Sequence, residues 1–218
     1  MEKYICEPSH TFLNLPEEKR LRIIREAVCE FGEYGYQRAS VNRIVQRLGI
    51  AKGSLYQYFT NKEALFIAAF DHFSELVKKT VRSDRDPKGD FFYQVSGVLH
   101  SGYLFLKKYP DFFLLYSRVL AEEDTPHREM LIKRFHLFSV EYFRPFLDSG
   151  KASGLIRTDV NNALIFFMVE ALLDRFFREC RGGSVSGMFG NDNPDDSLTQ
   201  IIDQLVGVLR VGLGTTRI

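Results

Sequence analysis

The stretch that most constrains this chain is Ser40–Lys62, SVNRIVQRLGIAKGSLYQYFTNK. Val41, Ile44, Val45 and Leu48 recur on one helical face, with Arg43, Gln46 and Arg47 on the other. Ser40 suits an N-cap, and Gly49 permits the left-handed turn that ends such a helix. A second short helix is predicted from about Lys52 to Phe59. Two helices joined by a tight turn containing glycine form a helix-turn-helix, whose second helix enters a DNA major groove. That second helix carries Lys52, Gly53, Ser54, Tyr56 and Tyr58 outward, while Leu55 and Phe59 point inward to pack it. Small residues at its start let backbone approach DNA closely, and Lys, Ser and Tyr reach phosphates or base edges. A plain three-helix bundle with surface tyrosines fits the same spacing.

Charge adds to this reading. Glu17 to Lys62 holds nine Lys/Arg against five Glu, although the whole chain is only +1. From Tyr36 to Lys62 the charged residues are Arg38, Arg43, Arg47, Lys52 and Lys62, all basic. A local positive field suits a phosphate backbone. A solvated basic face is the bland alternative.

The remainder reads as helix throughout. Residues 1–16 form an arm without clear period, in which Tyr4, Phe12 and Leu13 are the candidates for partial order. Pro16-Glu17-Glu18 opens a helix carrying Leu21, Ile24, Val28 and Phe31, and Gly32 and Gly35 are expected to end it. Thr60-Asn61 caps a long helix reaching about Val81, and the polar, Pro- and Gly-containing Arg82–Gly89 follows as a domain boundary. Further helices are predicted over 92–108, 111–123, 126–149, 159–180 and 197–213, for about nine in all. Between the last two, 182–196 is rich in Gly, Ser, Asn and Asp and is expected to be a mobile loop. Its GSVSG has the letters of a nucleophile elbow but no preceding strand, so no catalytic residue is assigned and an enzyme is not expected.

Three cysteines without CxxC spacing argue for a reducing compartment, and no signal peptide is evident. The most apolar run, Ala163–Leu173, is too short to span a bilayer. A cytoplasmic protein with no membrane partner is expected. The histidines do not pair with Cys or carboxylates at ligand spacing, so neither metal nor cofactor is assigned.

The run from Ala27 to Leu65, centred on FGEYGYQRASVNRIVQRLGIAKGSLYQYFTNKEALF, resembles the N-terminal domain of the tetracycline-repressor (TetR/AcrR) family of bacterial regulators. The matching features are the FxxxGY segment, the Ser before the second helix, and xxIxxxLGIAKGSLYxYFxNKEAL. Val45 stands where alanine is frequent. The resemblance implies that Lys52, Gly53, Ser54 and Tyr56 meet the major groove, with Tyr56 and Tyr58 largely on phosphate. It also implies backbone contacts from Ser40, Asn42, Arg43 and Lys62.

The expected layout is an arm (1–16), a three-helix DNA-binding domain (17–62) and a helical ligand-binding and dimerisation domain (63–218), with 63–81 as the connecting helix. The second half resembles the family only locally, at Lys108–Phe113 and at Gly150–Val160. In such proteins the last two helices of each subunit form the dimer interface. Phe166, Val169, Leu173 and Phe177, with Ile202, Leu205 and Leu209, are assigned to it, because a helix apolar nearly all round needs a partner beyond its own core. Fourteen of the 20 Phe follow residue 90, which suits a pocket for a small apolar or aromatic effector. His100, Tyr103, Phe113, Tyr116, Arg118, Phe135 and His136 are its candidate lining. The expected function is a homodimeric repressor on a near-palindromic double-stranded operator, released by that effector. A helical small-molecule-binding protein or enzyme with a vestigial helix-turn-helix is the alternative.

Overall fold

The computed structural model describes residues 7–83, 85–181 and 194–215, and among these the chain is all α. Ten helices occur in order: α1 (His10–Leu13), α2 (Glu17–Arg38), α3 (Val41–Leu48), α4 (Lys52–Tyr58), α5 (Lys62–Ser83), α6 (Phe91–Lys108), α7 (Pro110–Ala121), α8 (Arg128–Ala152), α9 (Asn162–Arg181) and α10 (Pro194–Leu213). Nine match the helices expected from periodicity, and α1 is an extra turn within the arm. The only extended pairing among the described residues is an isolated bridge between Ile156 and Gly214. No helix among them is long and apolar enough to cross a membrane. The expected loop and its GSVSG lie outside the described residues as far as 193.

Two compact units emerge, neither contiguous in sequence: Met1–Leu76 with Tyr109–Ile132, and Val77–Lys108 with Lys133–Ile218. The first is built around α2, which carries Glu17 and Glu18 in its first turn, where the helix dipole favours them. The helix does not stop at the glycines. It kinks at Gly35 (φ 71°, ψ 170°) and closes only after Arg38. Gly32 lies inside it, fully covered, because α7 packs so closely that a Cβ there would come within 2.9 Å of Leu114 Cβ. Arg118 of α7 seals the same contact, donating from Nε to the Gly32 carbonyl (3.1 Å) and from Nη2 to the Glu33 carbonyl (2.9 Å). Phe31 stands edge-on to Phe66 at 5.1 Å and joins Ile23, Val28, Ile44 and Leu55 in the core of this unit.

The second unit has its own core. Phe91, Phe92, Val95 and Leu99 of α6 bury against Phe143 and Leu147 of α8, Ile165 and Val169 of α9, and Ile201 and Ile202 of α10. Gln94 is buried among them. It donates to the carbonyls of Asp86 (2.6 Å) and Gly89 (3.4 Å) and accepts from Tyr142 Oη (3.1 Å), so the amide reaches polar partners on both sides.

Candidate nucleic-acid interface

Ser40 caps α3, its Oγ accepting from the Arg43 N–H at 3.4 Å. Gly49 closes the helix in the left-handed conformation (φ 67°, ψ 32°), with its N–H on the Gln46 and Val45 carbonyls. The chain then turns directly into α4. Ile44, Val45 and Leu48 of α3 and Leu55 of α4 are buried, so the two helices are held by a shared apolar floor.

That floor fixes which residues of α4 face solvent. Lys52, Gly53, Tyr56 and Gln57 are exposed and Ser54 is half-exposed. The Lys52 ammonium sits 5.9 Å from the Tyr56 ring centre. Tyr58 does not join them. The residue is only 7% exposed and its ring lies 6.1 Å from that of Phe12, because positions 55, 58 and 59 share one helical face. The outward position expected for Tyr58 is therefore corrected to a core position. Gln57 takes its place on the open side, a residue that the same spacing, applied consistently, would have identified.

The arm holds α4 from behind. The Ser9 N–H donates to the Tyr58 carbonyl (2.9 Å), and Ser9 Oγ donates to the Gln57 carbonyl (2.6 Å). These are the carbonyls that a helix end leaves without partners. Phe12 buries its ring 4.7 Å from Phe59, and Arg20 Nη1 ties the arm to α2 through the Leu13 carbonyl at 2.8 Å.

Asn42 is exposed at the start of α3. Arg43 is partly engaged, because Nε and Nη2 reach the buried carboxylate of Glu30 at 2.8 and 2.6 Å, and its guanidinium lies 4.1 Å from the Tyr34 ring centre. Arg47 pairs with Glu26 (2.8 Å) and Glu30 (3.0 Å). Burial alone would raise the Glu30 pKa. Hydrogen bonds from Arg43, the Ser40 N–H and Arg47 outweigh it and hold the carboxyl below its ordinary range. Lys62 is set back from the open face. Its ammonium donates to the Gln37 carbonyl at 3.1 Å over the Tyr36 ring, and burial lowers its pKa.

The remaining assigned residues fall in both units. Phe113, Tyr116 and Arg118 belong to the first, where Arg118 is committed to the α2 carbonyls. His100, Tyr103, Phe135 and His136 belong to the second. His136 is exposed and paired with Glu170 at 2.8 Å, and His100 Nδ1 lies 2.9 Å from the Ser96 carbonyl oxygen. The seven thus do not form a single cluster within either unit.

The stripe assigned to dimerisation is largely covered within the chain itself. Phe166, Val169, Ile202 and Leu209 are buried in the chain's own core, and Leu173, Phe177 and Leu205 pack against it. The open apolar positions on the same helices are Leu164, Phe167 (66% exposed) and Met168 on α9, and Val208 (73%) and Val211 (84%) on α10. Both stripes are apolar, and they differ in burial.

A family model of bacterial regulatory proteins, the tetR family, matches residues 23–69, spanning α2 to α5. The HTH-type transcriptional regulator YdgC of Bacillus subtilis (strain 168) is 36% identical over 66 residues, 30% of this chain and 34% of that protein. The match thus spans about a third of that relative's length. A TetR family transcriptional regulator from Chloroflexus aurantiacus J-10-FL superimposes with a TM-score of 0.72 at 25% identity, covering 96% of this chain and 99% of that one. The transcriptional regulator FadR from Bacillus subtilis, solved in complex with stearoyl-CoA, shares the fold with a TM-score of 0.69 at 19% identity, over 88% of this chain and 98% of that one. With a helix-turn-helix whose second helix is open on one side, residues 23–69 form a domain of the tetR family of bacterial regulatory proteins, and over 96% of its length the chain shares the fold of a TetR family transcriptional regulator.

Proposed function

We propose that this regulator is a homodimeric repressor that reads a near-palindromic operator and is released by a small apolar or aromatic effector. The observation that carries the reading is the α4 surface, with Lys52, Gly53, Ser54 and Tyr56 on the open side and Leu55, Tyr58 and Phe59 locked behind them. A recognition helix fixed this way enters the major groove through its small first turn, and Tyr56 and Lys52 reach backbone or base edges. Ser40, Asn42 and Arg43, at the start of α3, contact the flanking backbone. Lys62 acts one step removed, by holding the end of α2.

One helix-turn-helix reads a half-site, so the dimer follows from the geometry of recognition. We assign its interface to the exposed apolar positions Leu164, Phe167, Met168, Val208 and Val211. In functional terms 17–62 reads DNA and 63–218 dimerises and binds effector, with 63–81 connecting them. The effector is assigned to the Phe-rich second unit, with His100, Tyr103 and Phe135 as its polar and aromatic contacts. The shared fold of FadR, solved with stearoyl-CoA, supports a long apolar ligand as the first class to test.

The test is selection of duplexes from a random-sequence library by the wild-type chain, followed by binding of a Lys52→Ala, Tyr56→Ala variant. A two-fold symmetric site bound at least ~10-fold more weakly by the variant is expected, each lost contact being worth about 1–3 kcal/mol. An unchanged, salt-insensitive affinity would remove the recognition role from α4. Addition of stearoyl-CoA and of aromatic acids to the complex then tests release.

A further inference from the structure

Glu30 is fully buried, yet it carries a charge and lies on α2, outside the helix-turn-helix itself. A carboxylate removed from water persists only when its partners replace the lost hydration. Here the partners all come from the residues that open α3 or line it. The Ser40 N–H donates to Oε1 at 2.7 Å, Arg43 donates from Nε at 2.8 Å and pairs through Nη2 at 2.6 Å, and Arg47 Nη1 lies 3.0 Å from Oε2.

The two arginines are treated differently. Arg47 stays 36% exposed but has a partner at each nitrogen: Nε on Glu26 (2.8 Å), Nη2 on the Glu26 carbonyl (3.3 Å) and Nη1 3.0 Å from Glu30 Oε2. Arg43 uses one edge only. Nε and Nη2 face Glu30, Nη2 also reaches the Arg38 carbonyl at 2.9 Å, and the plane rests on Tyr34. Nη1 has no hydrogen-bond partner among the described residues, and the side chain is partly exposed beside Asn42. A guanidinium pinned along one edge presents the other in a fixed direction, the arrangement that suits a phosphate oxygen.

We propose that Glu30 is a positioning residue for DNA recognition: it aims the free Nη1 edge of Arg43 at an operator phosphate while keeping Arg47 out of the interface. The proposal rests on the reading that the start of α3 meets the DNA backbone. A purely structural ion cluster would need no open edge, since apolar residues of similar volume tie two helices together as well.

The experiment uses the full chain and the duplex it selects from a random library, with a scrambled duplex of equal length as control. Affinity is measured across a salt series for wild type, Arg43→Met, Arg47→Met, Glu30→Gln and the Glu30→Gln, Arg43→Met double variant. Arg43→Met should bind the selected duplex ~10-fold more weakly and lower the salt slope by about one per subunit, as loss of one phosphate contact requires. Arg47→Met should leave the slope unchanged. Glu30→Gln should reproduce the Arg43→Met loss, and in the double variant the two losses should not add. Full additivity, or a wild-type affinity and slope in Arg43→Met, would overturn the proposal. Should Glu30→Gln not fold at the assay temperature, Arg43→Lys decides, because it keeps the charge but not the planar fork. A wild-type affinity there overturns the proposal, and a ~10-fold loss supports it. If the wild-type chain enriches no duplex, the DNA reading itself fails, a result distinct from any of these.

Discussion

Replacing Phe12 by alanine should free the recognition helix at one end without loosening the rest of its unit. The Phe12 ring is buried against Phe59 and Tyr58, and α1 is only four residues long. So short a helix has no stability of its own and exists through its contacts. Truncating a buried Phe to Ala typically costs about 3–5 kcal/mol. What remains of the arm's anchorage is the pair of Ser9 bonds to the Gln57 and Tyr58 carbonyls and the Arg20 bond to Leu13. At roughly 0.5–1.5 kcal/mol net apiece, these do not hold the arm once the ring is gone. Detachment would uncap the C-terminal carbonyls of a seven-residue helix. Amide hydrogen exchange followed by mass spectrometry should then show peptides covering α4 exchanging at least ~10-fold faster, as loss of only ~1.4 kcal/mol of protection requires. Peptides from α2 and α7 should keep their wild-type rates. Two outcomes would refute the reasoning: an unchanged α4 once the arm has become open to protease, or an equal rise in α2, α4 and α7.

Other perturbations read other parts of the fold. Gly35→Ala places a Cβ on the Glu122 carboxylate at φ 71°, ψ 170°, a region that L side chains avoid. It should cost about 1–3 kcal/mol or more, read as a lower denaturant midpoint with an unchanged slope. Burial, reinforced by the Asp111 carboxylate, pushes the Cys29 thiol from 9.0 up to about 12. The folded chain thus keeps a proton that the unfolded chain loses, so this contribution is intact below pH 9.0 and declines as pH rises towards 12. At pH 8 Cys29 should resist iodoacetamide until denaturant is added, as peptide mapping would show. Phe167→Asp should yield a folded monomer by light scattering, whereas Val169→Asp, two residues away but fully buried, should fail to fold. A Phe167→Asp dimer would place the interface elsewhere.

The helix-turn-helix was legible because its determinants are local. Ser40 and Gly49 mark both ends of α3, and the apolar spacing of Ile44, Val45 and Leu48 picks its buried face. Tyr58 was misplaced although its position was available, since it shares a face with Leu55 and Phe59. On α9 no such rule was available. Val169 and Phe167 stand on two equally apolar stripes, and only the rest of the unit decides which one is covered. The packing of α7 on α2 joins residues some eighty positions apart, through Arg118 and the bare backbone at Gly32. Nothing local in either segment announces that pairing. Nor does a four-residue helix such as α1 leave enough period to be seen.

The acid-free window from Tyr36 to Lys62 shows how a linear count of charge misjudges a surface. Its five cations appear unopposed because their counterions lie upstream, on α2. Glu26 and Glu30 pair with Arg47, and Lys62 is turned onto the Gln37 carbonyl. Arg38 and Lys52 stay exposed, as Arg47 does, and Arg43 keeps one edge open. Each neutralised phosphate contributes about 0.9 to the slope of log affinity against log salt. A dimer using all five cations per subunit would show a slope near about −9, and one using three would show about −5. We therefore expect the shallower value on the selected duplex, measured by fluorescence anisotropy over a salt series. A slope near the steeper value would mean that Arg47 and Lys62 leave their protein partners on binding, and that the α2 carboxylates do not withhold them. The shallower slope would assign a larger share of the affinity to the contacts of Tyr56, Ser54 and the α4 backbone, which carry sequence information that phosphate contacts lack.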